Sequence, residues 1–411
     1  MRNAILFFIV LSAQSVYAVL PPIPTPAQQI ETLIAQAVPN ASVGIVVLEA
    51  DTGKTLYEQH AREPFPPAST TKLFTAAASL LSLGADYRFQ TSIQANAQDV
   101  REGTLNGNVY VQFSGDPSLT TADLKKLISA LKTAGIRTIA GDIVLDTTRF
   151  TAPEYPLGWT WDSLSWYYAA PVTATILNEN VVALSLTSNK MLGEKATVAL
   201  APTETIPIQI QSDVVIVTPE ESETLCQIQI NRDAQNNVQF AGCWPQQTEP
   251  ATLKIALKDP VVLATQIISG VLNTEQIAFA GKIVLGAMPK GLKILAAQHS
   301  PPVKILLEKV LQNSNNLYSD SLLKTLGAEQ FHQGTFQAGL LAMKEHLGAA
   351  GLDFTRLRLM DGSGLSSYNL IEPYQLARLL FIMEHNTTIG QDFKNALPVS
   401  GTDNQQVNIS F

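Results

Sequence analysis

The chain has 411 residues, 46% of them hydrophobic and 15% charged, with a formal net charge of −8 at pH 7. At roughly 100–200 residues per domain this allows two to four domains, and the apolar content argues against a mainly disordered chain. The acidic balance, with no basic run to track phosphates, argues against nucleic acid as the main partner.

In chain order, Arg2 followed by the apolar Ala4–Leu11 and a small-residue ending at Ala18 reads as a secretory signal over residues 1–18. The apolar run is too short to span a bilayer as a helix, and no later segment is long and apolar enough, so any membrane association is expected to be peripheral at most. Val19–Pro26 reads as an extended leader. Ala41–His60 reads as a β-hairpin around the turn signal DTGK, with Gly53 free to take positive φ. A helix follows over PPASTTKLFTAAASLLSLG, Pro66–Gly84. From Thr91 short strands and turns take over, interrupted by the amphipathic TADLKKLISALKTAG, and Val181–Ala256 reads as all-β. Helices return at Val303–Leu326, Thr335–Ala350 and Glu372–His385. The pattern predicts a helix-rich domain split in sequence (residues 19–92 and 288–411) by mostly β material over residues 93–287.

Export gives the two cysteines meaning. Cys226 and Cys243 can close a short loop in an oxidising compartment, or remain two free thiols. Neither has a second cysteine or a histidine at metal-ligand spacing, so no metal is expected, and no cofactor is implied.

Ser69 and Lys72 lie three residues apart where the Pro66–Gly84 helix begins, and positions i and i+3 are neighbours on a helix surface. The first turn offers free backbone N–H groups and the positive end of the helix dipole, which favour an alkoxide or a developing oxyanion. The lysine must be able to lose its proton. From a reference pKa of about 10.4, holding it neutral at pH 7 costs about 4.6 kcal/mol, which burial can supply and exposure cannot. Between Leu73 and Ala85 no residue is charged, so this helix is expected to be buried. Two further S-x-x-K pairs exist, Ser129–Lys132 and Ser321–Lys324. Helical wheels place both off the apolar stripes, and both are expected on solvated faces. No histidine is needed for such a site, and the sequence has neither G-x-S-x-G nor H-E-x-x-H.

PPASTTKLFTAAASL resembles the S-x-x-K region of the serine D-alanyl-D-alanine peptidases, the penicillin-binding proteins. SGDPSL (Ser114–Leu119), QNSNNLYSDSLLKTLG (Gln312–Gly327), DGSGLS (Asp361–Ser366) and LPVSGTD (Leu397–Asp403) resemble, in this order, signatures of the class C low-molecular-mass carboxypeptidase/endopeptidase family. The resemblance implies an α/β (α+β) transpeptidase/β-lactamase-like domain with a five-stranded sheet, split by two inserted domains. It implies a periplasmic enzyme acting on peptidoglycan stem peptides through an acyl-enzyme on Ser69, with β-lactams as covalent inhibitors. Lys72 would be the base. Of two S-x-N triplets, Ser314–Asn316 sits in the longer match and Ser367–Asn369 does not. Ser314 would relay a proton to the leaving amine, and the Asn316 amide would hold Lys72 and a substrate carbonyl. The plainer reading of SNN is a helix cap.

GWTWDSLSWYY (Gly158–Tyr168) resembles the stretch that reads a diaminopimelate side chain in relatives, with Asp162 as the candidate for its ammonium and Trp159 and Tyr167 beside it. Ser367 stands where relatives often carry arginine. The family's third motif, Lys-Thr-Gly, is not found. The sequence ends eight residues after Asp403, so the resemblance implies a record truncated before that motif and a central sheet with an open edge. The alternatives are a non-catalytic cell-wall peptide-binding homologue on the same scaffold and an inactive truncated form lacking the Lys-Thr-Gly motif. A β-lactamase would need a deacylating residue, and none is assigned.

Overall fold

The computed structural model describes residues 25–224 and 226–399. The expected signal segment and the stretch around Asp403 lie outside them. The helices, in chain order, are α1 (Pro26–Ala37), α2 (Lys72–Ser82), α3 (Thr121–Thr133), α4 (Pro219–Thr224), α5 (Pro260–Glu275), α6 (Val303–Leu311), α7 (Asn316–Phe331), α8 (Phe336–Ala349), α9 (Pro373–Glu384) and α10 (Gly390–Ala396). Sequence reading missed the short α4 and α10 and the longer α1 and α5, the last two being the ones with clear start signals. Each of these two begins with a proline in its first turn after a capping side chain: Thr25 accepts from Gln28 N, and Asp259 accepts from Val261 N and Val262 N.

Ile45–Leu48 and Thr55–Gln59 form the expected antiparallel hairpin, with Gly53 at φ +70° in its turn. Among the described residues this sheet has two strands, not the five expected of the transpeptidase-like part. A five-stranded sheet does exist, but it belongs largely to the inserted material. Its spatial order is Ile283–Leu285, Ile143–Asp146, Val109–Gln112, Gln90–Ala95, Lys293–His299. Its entry strand, Gln90–Ala95, pairs antiparallel with its exit strand, Lys293–His299. That pairing lets the chain leave the helical part and return to it at nearly the same place. Smaller sheets fill most of residues 181–256, but the region is not all-β as expected: α4 (Pro219–Thr224) interrupts it.

Two apolar cores result. One runs continuously through the inserted region, from Ile93 and Val111 through Ile128, Leu184 and Phe240 to Ile277. The other gathers Phe74, Leu80, Leu306, Leu322, Leu326, Met343 and Leu379. At the centre of the second lies α2, with α6, α7 and α8 packed on it. Phe74 and the run Ala76, Ala77, Ala78 are fully buried, and the small side chains let three helices approach one axis.

The expected continuous helix over Val303–Leu326 is broken. α6 ends at Leu311, Ser314 turns the connecting chain with left-handed backbone at φ +53°, and Asn315 starts α7 by accepting from Tyr318 N as its cap. The capping reading of SNN therefore holds for Asn315, while its two neighbours are left to face α2. Residues 317–328 of α7 are all buried, so this helix has no solvated face over three turns. Its Gly339 neighbour on α8 has no room for a side chain: a Cβ there would sit 2.1 Å from Leu323 O. Among the described residues no helix is long and apolar enough to cross a membrane.

Candidate active site

The α-helix proper starts at Lys72. Ser69 lies in the tighter 3₁₀ turn Ala68–Thr71 that leads into it. In such a turn side chains at i and i+3 eclipse one another, which carries Ser69 directly over Lys72. Lys72 Nζ lies 3.0 Å from Ser69 Oγ, and the side chain is 1% exposed. Its other two partners are Asn316 Oδ1 at 2.7 Å and the Ser363 carbonyl at 2.7 Å. Ser314 Oγ donates to Ser69 Oγ at 2.8 Å. The structure thus brings together all four of Ser69, Lys72, Ser314 and Asn316.

Lys72 has two acceptor-only partners and one hydroxyl, which can either accept or donate. A protonated amine donates to all three. A neutral amine donates to Asn316 Oδ1 and Ser363 O and takes the Ser69 hydroxyl proton on its lone pair. Both protonation states are therefore fully hydrogen-bonded. Burial pulls the Lys72 pKa down to about 8, against the opposing influence of Asp320 and Asp361. Asp320 is itself fully buried, and burial, reinforced by Asp361, pushes its carboxyl well up. Hydrogen bonds from the Ser363 hydroxyl and Gly362 N oppose that rise only in part.

The loop that supplies Ser363 O is a part of the site that sequence reading did not assign, although DGSGLS was singled out. Gly362 N donates to Asp320 Oδ1 at 2.7 Å, and Gly362 O accepts from Thr75 Oγ1 (2.8 Å) and Ser319 Oγ (2.7 Å). Asp361 gathers the rest of the loop: it accepts from Gly364 N, Ser366 N, Asn369 Nδ2 and Trp159 Nε1. Gly364, at φ +84°, meets the backbone beside the serine so closely that a Cβ would lie 1.8 Å from Ala68 O. Ala68 itself is left-handed, at φ +46°. Strained residues thus flank the site at Ala68 and Ser314.

The predicted specificity residues are divided by the structure. Asp162 is exposed on the turn Trp161–Ser165, and Tyr167 is half exposed with its ring edge-on to Tyr168 at 5.5 Å. Trp159 is instead committed to the fold, because its indole N–H donates to Asp361 Oδ2 at 2.9 Å. This loop touches the site through its backbone: Tyr168 O accepts from Asn316 Nδ2 at 2.8 Å. Ser367 N and Oγ both donate to Gly158 O, so Ser367 ties the same loop to DGSGLS. Cys226 and Cys243 are bonded, in the strand region far along the inserted core.

The other two S-x-x-K pairs part company. Ser129 donates to Glu275 Oε1 and Lys132 pairs with Glu275 Oε2 at 3.3 Å on an open face, as expected. Ser321 and Lys324, expected on a solvated face, are both buried. Ser321 Oγ donates to Gly115 O, away from the lysine, and Lys324 Nζ donates to three carbonyls, those of Thr151, Pro153 and Val172. Carbonyls only accept, so only the charged amine is satisfied there, and this pair cannot work as hydroxyl and base.

The sequence profile of the D-Ala-D-Ala carboxypeptidase 3 (S13) family matches residues 27–407. A D-alanyl-D-alanine carboxypeptidase of Haemophilus influenzae is 32% identical over 90% of this chain and 77% of its own length. A D-alanyl-D-alanine carboxypeptidase of an Actinomadura species is 30% identical over 89% of this chain and 68% of its own length. The crystal structure of penicillin binding protein 4 from Haemophilus influenzae superposes with a TM-score of 0.82 at 31% identity, covering 90% of this chain and 81% of that one. A crystal structure of the same protein complexed with a β-lactam gives 0.78 at 30% identity. A profile spanning nearly all the described residues, two carboxypeptidases at 30% identity or more and the shared α+β fold agree, and the chain belongs to the D-Ala-D-Ala carboxypeptidase 3 family.

Proposed function

We propose that this protein is a serine peptidase of the bacterial cell wall. It releases D-alanine from D-Ala-D-Ala stem peptides and is acylated by penicillins, both at Ser69. The observation that carries the reading is the buried Lys72 amine 3.0 Å from Ser69 Oγ, hydrogen-bonded in either protonation state. The two carboxypeptidase relatives and the β-lactam complex of the Haemophilus protein support the chemistry.

Neutral Lys72 accepts the Ser69 proton as Oγ attacks the scissile carbonyl. The tetrahedral intermediate collapses when its C–N bond breaks. Ser314 Oγ, 2.8 Å from Ser69 Oγ, passes a proton to the departing amine, and Lys72 replaces it. Water then attacks the ester, gives its proton back through Lys72, and frees Ser69 and the shortened peptide. The same steps with a cross-linking amine as leaving group would make the enzyme an endopeptidase. A β-lactam opens on Ser69 in the first half-reaction, and its tethered leaving group remains in the site. Asp162, exposed on the loop that holds Asn316, is proposed to meet the side-chain ammonium of a diaminopimelate residue, beside Tyr167. Action outside the cytoplasm is supported by the Ala4–Leu11 segment and by the Cys226–Cys243 bond, which persists where the medium is oxidising.

The full-length protein should be labelled by a fluorescent penicillin on the peptide that contains Ser69, and Ser69→Ala should abolish the label. Labelling that survives this change would place the nucleophile elsewhere.

A further inference from the structure

The residues between Glu154 and Pro171 form a long loop held along its length by DGSGLS and the adjacent Ser367, at Leu157 O, Gly158 O and Trp159, and by the inserted strands, at Ser165 and Trp166. Their neck is closed by one backbone bond, Val172 N to Glu154 O at 3.0 Å, and by Lys324. Lys324 is 1% exposed and stands on α7, two turns beyond Asn316. Its Nζ donates to Thr151 O (2.9 Å) and Pro153 O (3.1 Å) on the outgoing strand of the neck, and to Val172 O (3.1 Å) on the returning one. The rings of Phe150 and Phe336 lie 5.3 and 5.0 Å away and favour a cation between them. Ser321, one turn earlier on α7, fixes Gly115 O in the same way. Burying an ammonium is costly unless every N–H finds an acceptor, and here all three do.

The loop beyond this neck carries Tyr168, whose carbonyl holds the Asn316 amide. Asn316 in turn presents Oδ1 to Lys72. We propose that Lys324 is a positioning residue for the reaction: its ammonium pins both arms of the 154–171 loop to α7, so that the Tyr168 carbonyl orients Asn316 towards Lys72. This inference rests on the functional reading above. It gives the third S-x-x-K lysine a task distinct from that of the first. Burial pulls the pKa of both lysines down to about 8, but Lys72 faces a hydroxyl with which it can exchange a proton, whereas Lys324 faces only carbonyl acceptors.

The test is Lys324→Met, which keeps an apolar stem of similar length and removes the three donors. In the full chain, hydrogen exchange should quicken by at least about tenfold over residues 151–172, since the loss of even one of the three charge-assisted bonds would favour local opening by that much. Exchange in α3 and in the sheet of Val109–Gln112 should be unchanged. Acylation of Ser69 by penicillin should slow by about tenfold, which is about 1.4 kcal/mol. If Lys324→Met does not fold, Lys324→Gln, which retains two N–H donors, should show the same local loosening to a smaller extent. Unchanged exchange over 151–172 would overturn the proposal. So would faster exchange spread evenly over both cores, or a loosened loop with a normal acylation rate. A wild-type protein that takes no label at Ser69 would instead refute the functional reading, and the exchange pattern would still report on the clamp.

Discussion

Replacing Lys72 by methionine separates folding from chemistry. Burial lowers the Lys72 pKa from its ordinary 10.5 to about 8. At about 1.36 kcal/mol per pH unit, the protonated side chain is therefore on the order of 3 kcal/mol less favourable in the fold than in water. Because the folded value lies below the unfolded one, that penalty is fully present below pH 8 and fades as the pH rises towards 10.5. Methionine removes it. The change also strips Asn316 Oδ1 and Ser363 O of their donor, at about 1–3 kcal/mol each. The terms oppose each other, so at pH 7 Lys72→Met should lie within about 3 kcal/mol of the parent and remain folded. The rate has no such offset. Loss of a general base slows a reaction by about 10²–10⁴. Acylation by penicillin, followed by stopped flow or timed gel labelling, should fall by that factor while the melting curve stays cooperative. A folded Lys72→Met protein acylated within about tenfold of the parent rate would refute the role of Lys72 as base.

Gly364→Ala should damage the site from outside it. It forces a side chain into left-handed backbone at about 1–2 kcal/mol, and pushes against Ala68 O beside the nucleophile. The melting temperature should fall and acylation should fall with it; a normal rate would show that the DGSGLS loop need not touch the Ser69 turn. Replacing Cys226 and Cys243 together by serine should lower stability by about 3 kcal/mol, the loop-closure value for a crosslink over a separation of 17 residues. Denaturant melts should show this loss while acylation per folded molecule is unchanged, because the bond lies in the inserted core and not at Ser69.

Local patterns were legible where a few neighbouring residues decide the structure. The uncharged run after Lys72 predicts a buried helix, and DTGK predicts the hairpin turn; both are found. The S-x-x-K spacing was enough to bring Ser69 and Lys72 within hydrogen-bond reach, and the S-x-N match supplied Ser314 and Asn316. What failed was the assumption that a charged residue marks a solvated face. It holds for Lys132, on a helix with an open side. It fails for Lys324, because α7 is enclosed all round and carbonyls from distant loops meet the amine. The bond from the Trp159 indole to Asp361 was not legible for a related reason: its partner lies some two hundred residues further on, and no local pattern points to it. Ser363 acts through its backbone carbonyl, a group every residue carries, so its side chain gives no sign of the role.

The central claim is that a desolvated Lys72 activates Ser69, and the pH dependence of acylation tests it most directly. The active form is the neutral amine, so the second-order rate of penicillin acylation should rise about tenfold per pH unit below pH 8 and level off above an apparent pKa of about 8. A rate that is flat between about pH 6 and 9, or one that keeps climbing towards the reference lysine value of about 10.4, would contradict it.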